Sequence, residues 1–277
     1  MRKTFLVLAA LAFIITACGS GTTPDGTHPP DPTATSPPPE GEAPESTEAP
    51  VEPAPSTEAP EPVGPPDPID IEIYGATDLV IKGTFYGAVP NAAPGVLMLH
   101  MYGHTRADWD ALARRLQALG IASLAIDLRG HGETGGAENW LLAPQDVEVA
   151  LNWLGAREDV DADRLGAVGA SIGANLALLL GSTNPRIDVL ALLSPGFDYF
   201  RVNIEGAMLL YNPRPALLAA SEEDGYSAET VRGLADQATG PVELLVYNNA
   251  GHGNDMLAAE PGLSDAIVDF LVEHLGE

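Results

Sequence analysis

The sequence holds a single cysteine, Cys18, so no intramolecular disulfide staples the fold. Basic residues are scarce as well: 13 Lys and Arg stand against 39 Asp and Glu, a formal net charge of -26, and none lies between Lys3 and Lys82. That balance argues against nucleic acid as a partner and against electrostatic adhesion to anionic lipid, since both need clustered cations. The apolar run from Phe5 to Ile15 is too short for a comfortable membrane span. His, Cys and carboxylates never gather at metal-ligand spacing, and no Gly-rich loop opens a first strand-helix-strand unit in the manner of a dinucleotide site. Neither a metal nor an organic cofactor is expected.

What is present divides into two unlike regions. Met1-Arg2-Lys3 is a basic start, the apolar run follows, and it ends in Ile15-Thr16-Ala17-Cys18-Gly19. This resembles a bacterial lipoprotein signal, with an aliphatic residue at minus three and small residues before the cysteine. The resemblance implies cleavage after Ala17 and a lipid (palmitate among its chains) on Cys18; a plain secretory peptide with an incidental cysteine is the alternative. Beyond Gly19 the chain loses nearly all large apolar residues and fills with Pro, Glu, Thr, Ser and Gly, so it cannot bury enough surface to offset its ordering entropy. Ser46-Thr47-Glu48-Ala49-Pro50 repeats as Ser56-Thr57-Glu58-Ala59-Pro60, a low-complexity tether stiffened by proline and extended by its own charge. The expected organisation is a signal over 1–17, a disordered tether over 18–68 and a folded domain over 69–277. Membrane attachment through Cys18, on the extracytoplasmic face of a bacterial cell, follows from the same reading.

Roughly 200 residues remain for the domain, enough for one sizeable core. Ile69 to Tyr74 and Leu79 to Tyr86 alternate apolar with polar residues around Gly75-Ala76-Thr77-Asp78 and read as an antiparallel pair. Continuous apolar strands then alternate with amphipathic helices. Strands are expected at Val96 to His100, Ala122 to Leu128, Leu165 to Val168, Val189 to Leu193, Ala216 to Ala220 and Val242 to Tyr247. Helices are expected at Trp109 to Leu119, from about Gln145 to Leu154, after Ser171, at Ala228 to Ala238 and at Leu263 to Leu275. The pattern predicts an α/β three-layer sandwich: a mostly parallel sheet, with the antiparallel pair at its N-terminal end and sites at the carboxyl ends of strands.

One of those strand ends carries Gly169-Ala170-Ser171-Ile172-Gly173. Gly-x-Ser-x-Gly between a strand and a helix is a nucleophile elbow: large side chains two before or two after the serine would collide with the neighbouring strand and helix, and the helix N-terminus favours developing negative charge. A serine nucleophile needs a base and an orienting acid at the same sheet edge. His252, in the glycine-flanked loop Asn248 to Gly253 after the last strand, is the expected base. Ser221-Glu222-Glu223-Asp224-Gly225 follows the preceding strand, and Asp224 is the preferred acid because the turn needs a few residues to swing a short carboxylate back. Glu222 and Glu223 then read as solvated charges, Asp198 as a rival acid, and Asp255 as a cap on the closing loop.

The order Ser171, Asp224, His252 resembles that of the α/β-hydrolase superfamily. So do Leu97-Met98-Leu99-His100-Met101-Tyr102-Gly103 and Asp127-Leu128-Arg129-Gly130-His131-Gly132-Glu133, and the likeness runs from about Ile69 onward. Lacking a long insertion after Val189 to Leu193, the chain looks most like the dienelactone-hydrolase and prolyl-oligopeptidase-like esterases. The resemblance implies an oxyanion hole made by the N–H groups of Tyr102 and Ile172, each donor contributing on the order of 3 kcal/mol. Members commonly have His-Gly where this chain has His100-Met101, so the Met101 and Tyr102 side chains either narrow the acyl pocket or one of them turns into the core. His100 and His131 read as structural, His104 as a loop residue, and Trp140 as a packing residue that can border the cleft. The function so implied is hydrolysis of a small-molecule carboxylic ester through an acyl-enzyme. The alternatives are a peptidase or acyltransferase using the same residues, or a binding lipoprotein on a hydrolase scaffold. An aspartate-nucleophile dehalogenase is disfavoured, because a serine stands at the elbow.

Overall fold

Apolar residues fill successive positions of the central strands, so both faces of each must be covered, which is the condition for a sheet sandwiched between helices. The computed structural model describes residues 64–75, 79–89 and 92–276. All of these belong to one compact unit. The expected signal, Cys18 and the tether as far as residue 63 lie outside the described residues. The chain enters through β1 (Ile69–Tyr74) and β2 (Val80–Tyr86), then β3 (Ala93–Leu99), α1 (Asp110–Ala118), β4 (Ala122–Ile126), α2 (Ala143–Gly155), β5 (Val160–Ala170) and α3 (Ile172–Thr183). There follow β6 (Ile187–Leu193), β7 (Asp198–Tyr199), β8 (Val202–Asn203), α4 (Ala207–Tyr211), β9 (Ala216–Ser221), α5 (Gly225–Gln237), β10 (Val242–Tyr247), α6 (Met256–Ala259) and α7 (Pro261–Leu275).

The main sheet runs β1-β2-β4-β3-β5-β6-β9-β10. β1 pairs antiparallel with β2, and β2 antiparallel with β4, whereas every other pairing in the sheet is parallel. Period-two alternation divides the core. Leu97 and Leu99 of β3 face the layer that holds Leu151 of α2, Leu176 of α3 and Val231 of α5, while Val96 and Met98 face Leu116 of α1 and Leu271 of α7. Each such fully buried aliphatic side chain contributes about 2 kcal/mol through removal from water. The expected sandwich is therefore the observed one; element ends shift by up to a few residues, and some of the differences have identifiable causes. β5 starts at Val160 rather than Leu165, because Val160 pairs with Ala93 across a register shift. α5 starts at Gly225, three residues earlier than expected, because the Asp224 carboxylate accepts the Ser227 N–H and caps it. The segment after β6 also folds: β7 and β8 form a small antiparallel hairpin, and α4 packs on α3.

Candidate active site

β5 ends at Ala170 and α3 begins at Ile172, which leaves Ser171 alone at the junction with φ 52° and ψ -119°. A non-glycine residue held there costs on the order of 1–3 kcal/mol, so the surroundings must fix it. A Cβ placed on Gly173 would stand 2.2 Å from the Leu99 carbonyl oxygen of β3, and one on Gly169 would stand 2.3 Å from the Gly173 carbonyl oxygen. Both glycines are thus required for strand and helix to approach this closely. Ser171 N–H donates to Leu193 O of β6 at 2.8 Å, locking the turn to the adjacent strand.

The structure brings together the three side chains expected from chain order. His252 Nε2 lies 2.7 Å from Ser171 Oγ, and His252 Nδ1 lies 2.5 Å from Asp224 Oδ2. A carboxylate only accepts, so Nδ1 carries the proton and Nε2 is left as acceptor for the serine hydroxyl. Burial pushes the Asp224 carboxyl up, but hydrogen bonds from Ser227 and His252 outweigh it and hold the group below the usual carboxylate range. The rival Asp198 is taken up inside its own hairpin, accepting from Arg201 N–H at 2.9 Å and Asn203 Nδ2 at 3.3 Å.

Two expectations for neighbouring carboxylates need correction. Glu223 is not merely solvated: its Oε2 accepts from Ser221 Oγ at 2.7 Å and from Asn249 N–H at 2.5 Å. Ser221 Oγ in turn accepts Ala250 N–H at 3.0 Å, and Ser194 Oγ accepts Gly253 N–H at 3.0 Å, so the loop carrying His252 is pinned on both sides of the imidazole. Asp255 stands at the start of α6, yet its side chain makes no capping hydrogen bond. Glu222 does pair with an exposed partner, Arg232.

Opposite the elbow, the Met101 side chain turns into the core, 6% exposed and against Gly253, while Tyr102 stays 48% exposed at the cleft. Of the two outcomes expected for this turn, the inward methionine is therefore realised. Met101 N–H donates to Asn254 Oδ1 at 3.0 Å, and His100 fixes the turn from below. His100 Nδ1 donates to Met101 O at 2.7 Å, and its Nε2 accepts Leu128 N–H at 2.9 Å, an arrangement that needs a neutral ring. Burial supplies that neutrality by pushing the His100 imidazolium down to about 4. Among the described residues no acceptor takes the Tyr102 N–H, and Ile172 N–H is the first orphan amide of α3. His104 is engaged with Asp108 at 2.5 Å on the outer side of the turn.

Between these walls lies a cleft of about 320 Å3 lined by Met101, Tyr102, Ser171, Tyr199, Phe200 and His252. Tyr199 and Phe200 come from the β7–β8 hairpin and were not singled out by motif. Tyr199 packs edge-on against the His252 ring with centroids 6.1 Å apart, and its hydroxyl lies 3.0 Å from Ser227 Oγ. Trp140 is not one of the lining residues: it is buried behind the cleft wall, stacked on Phe200 at 5.3 Å and 22°. A larger concavity of about 440 Å3 beside Arg106 is lined by neither Ser nor His, and Arg106 is consumed there by Asp127 and Glu133. Among the described residues no group of three His, Cys, Asp or Glu is placed to hold a metal ion.

The sheet order, the two-faced helical cover and the serine turn at the end of β5 define an α/β-hydrolase fold. The family described as serine aminopeptidase, S33, matches residues 90–219, a span that includes Ser171 and stops short of Asp224 and His252. An uncharacterized protein of Mycobacterium tuberculosis is 27% identical over 200 residues, covering 66% of this chain and 71% of its own. Dienelactone hydrolase from Anabaena variabilis superposes with a TM-score of 0.63 at 19% identity, over 76% of this chain and 99% of that one. The esterase Pf2001 of Pyrococcus furiosus superposes with a TM-score of 0.62 at 19% identity, over 78% and 98%.

Proposed function

We propose that the protein is a serine hydrolase that cleaves carboxylic esters through an acyl-enzyme. The observation that carries this reading is the continuous hydrogen-bonded line from Ser171 Oγ through His252 to Asp224, at 2.7 and 2.5 Å. Ser171 Oγ attacks the ester carbonyl carbon as its proton passes to His252 Nε2, and Asp224 stabilises the imidazolium that results. The Tyr102 and Ile172 amides receive the oxyanion. Collapse of the tetrahedral intermediate expels the alcohol, which takes the proton from His252; water then attacks the acyl-serine by the same route in reverse. The matching family is described as aminopeptidases. A free α-amino group calls for a carboxylate in the cleft, and none of the described lining residues carries one, which argues against aminopeptidase specificity.

Hydrolysis of a p-nitrophenyl ester panel tests the assignment. Ser171→Ala is expected to lower kcat by about a thousandfold or more. Equal rates in both proteins would overturn it, and so would failure of a fluorophosphonate probe to label Ser171 in the folded wild type. The proposed location is the outer face of a bacterial membrane, through lipid on Cys18. Its support is the run of residues before Cys18. Detergent phase partitioning of the full chain checks it: Cys18→Ala is expected to move the protein from the detergent to the aqueous phase.

A further inference from the structure

The turn joining β7 to β8 places Phe200 at φ 52° and Arg201 at φ 71°, two successive non-glycine residues in the left-handed region. Two-residue hairpin turns of that kind normally recruit Asn and Gly, which tolerate positive φ at little cost. A bulky aromatic at such a tip is an outlier that the surroundings must hold in place. They do so through the ring, which stacks on Trp140 and meets Tyr102 at 5.2 Å, while Asp198 accepts the Arg201 N–H beneath it. Yet Phe200 remains 48% exposed, as does Tyr102, and both line the cleft over Ser171. Packing within the protein therefore uses only part of the Phe200 ring.

From this geometry we infer that Phe200 and Tyr102, backed by Trp140, form a stacking shelf that receives a flat aromatic ring carried by the substrate, with Phe200 as the specificity-determining residue. The inference rests on the ester-hydrolase reading above and narrows its substrate class to esters with an aromatic group beside the scissile bond. The shelf is open, which suits a rigid plate, and the cleft beside it measures about 320 Å3. No Lys, Arg or carboxylate lines it among the described residues, so the ring is bound through its face and not through a charge. Offset or tilted ring pairs favour an aromatic over a saturated ring of the same outline by roughly two- to tenfold in binding.

Matched ester pairs that differ only in ring saturation test this, one pair for each side of the bond: methyl benzoate against methyl cyclohexanecarboxylate, and phenylmethyl acetate against cyclohexylmethyl acetate. The wild type is expected to favour the aromatic member of at least one pair by about fivefold in KM, and the pair that responds identifies whether the acyl or the alcohol group lies on the shelf. Phe200→Leu, which keeps apolar bulk, and Phe200→Gly, which relieves the positive φ, are both expected to bring that ratio to within about twofold of one. No preference in either pair, or a preference that survives both substitutions, overturns the shelf. Calorimetric titration of Ser171→Ala with methyl benzoate separates this from failure of the ester-hydrolase reading. If no ester is turned over, binding that Ser171→Ala/Phe200→Gly loses still supports the shelf, and no binding to Ser171→Ala counts against it.

Discussion

At Gly173 a single methyl group would meet two backbone carbonyls at once, Leu99 O at 2.2 Å and His100 O at 2.7 Å. Backbone cannot swing aside as a flexible side chain can, so Gly173→Ala must part α3 from the end of β3. The expected result is a loss of at least about 2 kcal/mol in urea unfolding and a fall in kcat on the order of a hundredfold, as the turn bearing Tyr102 moves away from Ser171. Gly262→Ala, with nothing within 4 Å of its added carbon, is the comparison that should leave stability within about 0.5 kcal/mol. The meeting of Ser171, Asp224 and His252 was readable from sequence because each follows the carboxyl end of a strand in a parallel run, on one edge of the sheet. The fate of Glu223 was not, since its partners Ser221 Oγ and Asn249 N–H are set by where the chain passes after β10, and composition does not encode that path. Met101 was readable only as a choice between two outcomes, and the space beside Gly253 decided it.

Among the elements, the long buried strands were legible within a few residues because each displays an uninterrupted apolar run, and β10 coincides with its expected bounds at Val242–Tyr247. The β7–β8 hairpin was not legible: its turn is Phe200-Arg201, with neither Gly nor Asn to announce it, and each strand has only two residues. β10 also has a place in the site. It is an edge strand, paired only with β9, and its residues are mostly half-buried where β3 is fully buried. The loop leaving β10 carries His252, whereas Ser171 sits at the end of central β5. Edge elements open at lower free energy than central ones. On warming, hydrolytic activity should accordingly vanish several degrees below the main loss of far-ultraviolet circular dichroism. Coincident midpoints would show that β10 and the central strands open as one unit.

For the molecule as a whole, acid stability turns on a histidine. His100 takes up a proton near 6.5 when unfolded but only at about 4 when folded, so the unfolded state binds more protons across that window. The stabilisation is complete above about pH 6.5 and is lost as pH falls toward 4, amounting to roughly 3 kcal/mol. Burial is the main cause, and the His131 ring, 5.3 Å away, adds to it; the hydrogen bond to Met101 O and the charges of Asp127 and Asp108 favour protonation but are outweighed. With a net charge of -26, neutralising carboxylates relieves repulsion and acts in the opposite direction, so the informative quantity is a difference between two proteins. Urea midpoints of wild type and His100→Gln at pH 7, 5.5 and 4.5 should converge as pH falls, because glutamine can still accept from Leu128 and donate to Met101 O without titrating. Parallel curves would assign the acid sensitivity elsewhere. Of the three tryptophans, Trp109 is fully buried in the layer with α1 and α7, and Trp153 lies against Phe85 and Arg157. Trp140 is the one stacked at the cleft, so replacing the other two by phenylalanine would turn its emission into an optical gauge of cleft occupancy, readable in real time with substrates that carry no chromophore.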